Sequence, residues 1–250
     1  MRKILRTVFL VVLGIVIGMI VYEGIFLIRV FRLRSNNPSS TSLIDTRAQE
    51  AEAKGQQPRR EQAWVPLDKI SHNLQRAVLA GEDTNFVTHR GFDYEAIQKA
   101  FEQAQRETAR QAKAEGEDDD WLPTLPEFRR GGSTLTQQLA KNLYLSSQRS
   151  FLRKGQEAAL TVMLERLVTK QRILEIYLNV IEWGDGIYGA EAAAQRYFRK
   201  PASALTASEA AYLSAMIPNP RTVFNPQVNP RRVARRQRII LRGMPYVKLP

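Results

Sequence analysis

Residues 7–28, TVFLVVLGIVIGMIVYEGIFLI, form an unbroken apolar run whose only charged residue is Glu23. No other feature of the chain restricts its folding as tightly. About 20 such residues cross a hydrocarbon core as a helix, which satisfies every backbone polar group within the segment. Arg2, Lys3 and Arg6 precede the run and predict a single-pass anchor, with residues 1–6 as a cytoplasmic tail and the rest of the chain outside; Arg29, Arg32 and Arg34 on the far side reduce that bias. The competing reading is a cleaved signal peptide. It fits less well, because the run exceeds a usual h-region and no small-x-small cleavage pattern follows it.

Residues 29–62 are polar and poor in large apolar groups, so they read as a juxtamembrane linker with room for a helical middle. The body is expected over residues 63–250. A hydrophobic content of 44% in a 250-residue chain suits one sizeable core. Its apolar spacing is helical. In KQRILEIYLNVIEW, Ile173, Leu174, Tyr177, Leu178 and Ile181 fall on one face, and EAALTVMLERLV and SEAAYLSAMI behave likewise. Alternation at a period of two is nearly absent, so the expected class is mainly α. Between Phe101 and Arg130 a charged helical pattern gives way to acids from Glu115 to Asp120 and then to WLPTLPEF. Two readings stand for this stretch, a lid or membrane-touching flap on one side and a solvated insertion on the other.

The chemistry is narrowed by what is missing. The chain has no cysteine and two histidines, His72 and His89, which removes thiolate nucleophiles and cysteine or histidine-rich metal clusters. Neither histidine sits in a nucleophile-like context, and the S-x-x-K and K-T-G signatures are absent. Carboxylates remain for proton transfer, chiefly Glu82, Asp83, Asp93 and Glu157; two such acids converging on a cleft suit the making or breaking of a glycosidic bond. The formal charge of +12 favours an anionic partner. No nucleic-acid reader motif is present, so a membrane surface or a phosphorylated substrate is the better match. Residues 131–157, GGSTLTQQLAKNLYLSSQRSFLRKGQE, combine glycines, hydroxyls, paired amides and spaced cations, as a phosphate or pyrophosphate site requires. An N-capped helix with a solvated basic face would use many of the same residues. The GxxxxGK[ST] phosphate loop is not there.

Five blocks, taken in order, carry a resemblance: EDTNFVTHRGFD, GGSTLTQQLAKNLYL, RKGQEAALTVMLE, KQRILEIYLNVIEWGDGIYGAEAAAQRYF and LTASEAAYLSAMIPNP. Over roughly residues 64–244 the chain resembles glycosyltransferase family 51, the peptidoglycan glycosyltransferases, in their monofunctional form. The resemblance implies a lysozyme-like, two-lobed helical domain with a large lobe and a mobile jaw at the membrane. It implies lipid II and lipid-linked glycan as substrates, the cytoplasmic membrane as the location, and inversion at the anomeric carbon. Cell-wall synthesis or division proteins are the partner class it brings, although no residue here points to one.

Carried over position by position, Glu82 matches the family's proposed general base. Glu157 matches the second glutamate, which assists departure of the pyrophosphate by organising its surroundings or a metal. Lys141, Arg149, Arg153 and Lys154 match the cations that hold the pyrophosphate, and Ser133, Gln137, Gln138 and Asn142 match polar cleft positions. No cofactor is required by the sequence; Mg2+ or Mn2+ beside Glu157 is compatible with it. Gln156 departs from the pattern, since some relatives have lysine there. Asp83 reads as local structure, and His89 with Asp93 as support for the loop behind Glu82. Two rival functions share these residues: a lysozyme-like hydrolase, and a non-catalytic membrane-tethered scaffold.

Overall fold

A computed structural model describes residues 1–115, 133–146 and 150–250. The acidic run beyond Glu115, the WLPTLPEF segment and Arg149 fall outside them, and with them most of the expected jaw. Helix α1, Arg2–Arg32, contains the apolar run and is long and apolar enough to cross a membrane. The body comprises α2 (Ser42–Glu52), α3 (His72–Glu82), α4 (Tyr94–Glu115), α5 (Leu135–Tyr144), α6 (Phe151–Leu167), α7 (Lys170–Val180), α8 (Ala190–Phe198), α9 (Ala207–Met216) and α10 (Pro230–Gly243). Two- and three-residue strands β1 (Glu61–Gln62), β2 (Glu182–Gly184) and β3 (Ile187–Tyr188) make one small sheet in the order β1-β3-β2, with β1 parallel to β3 and β2 antiparallel to it. The mainly α expectation therefore holds.

The expected linker is more ordered than its composition implies. Thr41 caps α2 by accepting from the Ile44 amide, Ile44 is buried, and Ser42 donates to the Leu145 carbonyl at 2.9 Å. Glu61 and Gln62 then pair with β3. Residues 29–62 are thus knitted into the body, because a few well-placed caps and one apolar face suffice to dock a short polar helix.

Two groups of helices meet at the core. In one, α9 packs on both α3 and α10; in the other, α5 lies between α6 and α7. Trp183, Tyr177, Tyr188 and Phe86 are the largest fully buried side chains. The approach of α3 to α9 and α10 depends on Gly81, where a Cβ would stand 2.8 Å from Ser214 Oγ and 3.2 Å from Ile240 Cδ1. That close approach brings the end of α3, and therefore Glu82, under the inner face of α10. Phe86 is fully buried in the core, whereas Tyr94 stands exposed at the start of α4.

Candidate active site

Glu82 is the last residue of α3, and its side chain is only 9% exposed. One carboxylate oxygen accepts from Gln138 Nε2 at 2.9 Å and the other from Arg236 Nη2 at 2.8 Å. Arg236 Nη2 also donates to the Gly81 carbonyl, so it grips both the helix end and the acid. Gln138 is oriented in turn by Tyr177, whose hydroxyl donates to Gln138 Oε1 at 2.8 Å. Burial raises the pKa of Glu82, and the Arg236 guanidinium, the Gln138 hydrogen bond and Lys141 pull it partly back. A cavity of 210 Å³ opens beside it, lined by Glu82, Asp83, Asn85, Asp93 and Ser133 among others.

Asp83, buried behind Glu82, accepts from His89 Nε2 at 2.9 Å and from the Leu135 amide at 2.8 Å. The Gly91 amide donates to His89 Nδ1, which leaves the proton of a neutral ring on Nε2, facing Asp83. The loop after α3 is thereby tied to the start of α5. His89 therefore supports this loop through Asp83, not through Asp93 as expected. Asp93 instead caps α4, accepting from Ala96 N and from Asn85 Nδ2.

Helix α5 supplies the next wall. Thr134 caps it in a reciprocal box with Gln137: the Gln137 amide donates to Thr134 Oγ1, and the Thr134 amide donates to Gln137 Oε1. The side-chain oxygen of Gln137, a residue expected among the polar cleft positions, is thus engaged at the helix terminus, and the side chain is buried. Gln138, Lys141 and Asn142 follow at helical spacing on one face. The pKa of Lys141 is lowered, first by desolvation around the ammonium and then by repulsion from Arg153 and Lys154. Glu157 and Glu82 oppose that shift, which places Lys141 within electrostatic reach of both acids.

Glu157 is buried on α6. Arg153 Nη1 donates to one of its oxygens at 2.8 Å, and Lys154 Nζ to the other. Lys154 also approaches Ser133 Oγ at 3.4 Å, linking α6 to the entrance of α5. Both oxygens of Glu157 are thus engaged by cations. Among the described residues no group of three carboxylates or histidines gathers there to hold Mg2+ or Mn2+. Two contributors escaped the sequence reading: Arg236, 154 positions from Glu82 in the chain, and the hydroxyl of Tyr177, which the sequence showed only as core. The signal for Arg236 was present: it lies between Val233 and Ile240 on the buried face of an otherwise solvated basic helix.

A buried carboxylate on α3 and a cation-bound carboxylate on α6, both acting on Lys141, are compatible with an enzyme of the glycosyl-transfer class. The transglycosylase family model matches residues 49–116 and 122–245. The chain belongs to that family, glycosyltransferase family 51, and has its lysozyme-like fold. It is 48% identical over 214 residues to the biosynthetic peptidoglycan transglycosylase of Aromatoleum aromaticum, covering 86% of this chain and 84% of that one. The protein of the same name from Chromobacterium violaceum is 42% identical over 245 residues, 98% of this chain and 99% of its own. That of Herminiimonas arsenicoxydans is 42% identical over 250 residues, with 100% and 99% covered.

Proposed function

We propose that the chain is a membrane-anchored peptidoglycan polymerase that joins lipid II to a lipid-linked glycan with inversion and releases undecaprenyl pyrophosphate. The relatives' shared name supports the product class. The observation that carries the mechanism is the pair of unlike acids: Glu82 buried with a raised pKa, and Glu157 held between Arg153 and Lys154.

In this reading Glu82 accepts the proton of the acceptor sugar's 4-hydroxyl. The oxygen so freed attacks the anomeric carbon of the lipid-linked chain from the face opposite the pyrophosphate. The new C–O bond forms as the bond to the phosphate oxygen breaks, which inverts the centre. The electron pair leaves with the pyrophosphate, and Lys141, Arg149, Arg153 and Lys154 balance its charge where it develops. Glu157 keeps Arg153 and Lys154 in position, while Gln138 and Arg236 orient Glu82 for the proton. Ser133 and Asn142 provide further polar contacts to the substrate. The topology proposed is a single pass through the cytoplasmic membrane, N-terminus inside and cleft outside, where the lipid-linked substrate is presented.

Incubation of the purified protein with labelled lipid II in detergent tests this. Wild type yields a ladder of glycan lengths and Glu82→Gln yields none, a loss of about 10²–10⁴-fold for removal of a general base. Shortening of finished glycan without any ladder would instead identify a hydrolase.

A further inference from the structure

Glu23 interrupts an otherwise apolar helix, and a carboxylate in such a span is expensive unless it is paired or near the interface. Here it has a partner: Gln156 Nε2 donates to Glu23 Oε2 at 3.3 Å. Gln156 lies one residue before Glu157 on α6, the helix that also bears Arg153 and Lys154. The contact belongs to a docked surface. Glu23, Phe26, Val30 and Leu33 share one face of α1, and the last three are buried. Phe26 packs edge-on against Tyr144 at the end of α5, with ring centroids 5.7 Å apart. Arg172 on α7 donates to the Leu33 carbonyl at 2.9 Å and to Asn37 Oδ1 at 2.7 Å, fixing the point where the helix leaves the body.

Among the described residues the start of α6 has few other ties. Phe151 and Leu152 are 96% and 88% exposed, and the first buried residue of the helix is Glu157. A Cβ added at Gly155 would meet nothing within 4 Å. Side-chain ties from these opening turns to other elements run from Lys154 to Ser133 and from Gln156 to Glu23.

We infer that Glu23 is a positioning residue for the leaving-group end of the cleft: through Gln156 it sets the placement of the opening turns of α6, and with them Arg153, Lys154 and Glu157. The anchor thereby fixes the height of the phosphate-binding cations relative to the lipid surface. The catalytic part of this inference rests on the polymerase reading above.

A double-mutant cycle on the full-length protein tests it, with Glu23→Ala, Gln156→Ala and the pair assayed for lipid II polymerisation. Each single change lowers kcat by about 2- to 10-fold, the value of one ordinary hydrogen bond, with little change in KM. The double change is no worse than either single one, and Glu23→Gln, which keeps an oxygen acceptor, restores most of the rate. Hydrogen exchange at the amides of residues 151–157 reads the same tie without any reaction: Glu23→Ala accelerates it and Glu23→Gln does not. A polymerising wild type whose rate and exchange ignore Glu23→Ala overturns the inference, as do losses that multiply in the double mutant. A wild type that forms no polymer, yet whose exchange responds to Glu23→Ala, refutes the polymerase reading and leaves the structural tie standing.

Discussion

Glu82 is held by an amide on one oxygen and a guanidinium on the other, inside a pocket whose burial opposes its charge. These opposed influences make its titration a sensitive reporter. A base must be ionised to act, so the role proposed for Glu82 makes kcat/KM rise with pH through its pKa, which burial sets above the ordinary glutamate value of 4.5. Removing the cation removes a stabiliser of the ionised form. Arg236→Leu therefore moves the acid limb of the pH–rate profile to higher pH, and Arg236→Lys moves it less. A profile unmoved by Arg236→Leu would mean that a group other than Glu82 governs the acid limb. At the other end of the pH range, the lowered pKa of Lys141 predicts that the phosphate holding proposed for it weakens earlier than an ordinary lysine would allow. Glu82 and Glu157 could be singled out in the sequence because their blocks are distinctive, and their roles rest on the proposal above. Arg236 was missed: the spacing of Val233 and Ile240 marks the inward face of RRVARRQRIILRG, but that this face lies over the end of α3 appears only once α9 and α3 are packed beneath it.

At the scale of elements, α5 is the hinge of the site, for it bears Gln138 and Lys141 and is fastened at its start by Thr134. That residue caps the helix and also donates to the Gly91 carbonyl at 2.7 Å, joining α5 to the loop after Glu82. Thr134→Ala removes both bonds, at a cost of about 2 kcal/mol, or about 4–8 °C in Tm for a protein of this size. Gln137 and its neighbour Gln138 separate two kinds of role. Gln137→Ala lowers Tm by breaking the capping box and leaves KM for lipid II unchanged, whereas Gln138→Ala lowers kcat by releasing Glu82. Thermal unfolding and steady-state rates on the two variants decide this, and a raised KM in Gln137→Ala would return that residue to the cleft. The helices themselves were readable from apolar spacing. The Thr134-x-x-Gln137 pattern was equally readable as a capping box, but paired amides beside hydroxyls also match a polar binding surface, and the pattern alone does not say which use the fold makes of them.

At the scale of the whole molecule, the apolar run announced a membrane helix but concealed that its last third belongs to the enzyme. In a uniformly apolar sequence the period of Glu23, Phe26, Val30 and Leu33 is hidden, since lipid-facing and protein-facing positions have the same composition. The distinction emerges only from packing, where those three apolar side chains are buried while Phe31 and Ile28 beside them stay exposed. Two truncations separate anchoring from folding. Removing residues 1–22 deletes most of the exposed span and keeps the docked face, so Tm in detergent should stay near that of the full chain. Removing residues 1–34 also strips Phe26, Val30 and Leu33 from the body and leaves Tyr144 uncovered. Three buried side chains contribute about 5 kcal/mol between them, which corresponds to a fall of about 10–20 °C. Equal Tm values for the two truncations would mean that the body is complete without the helix, and α1 would then act as an anchor alone.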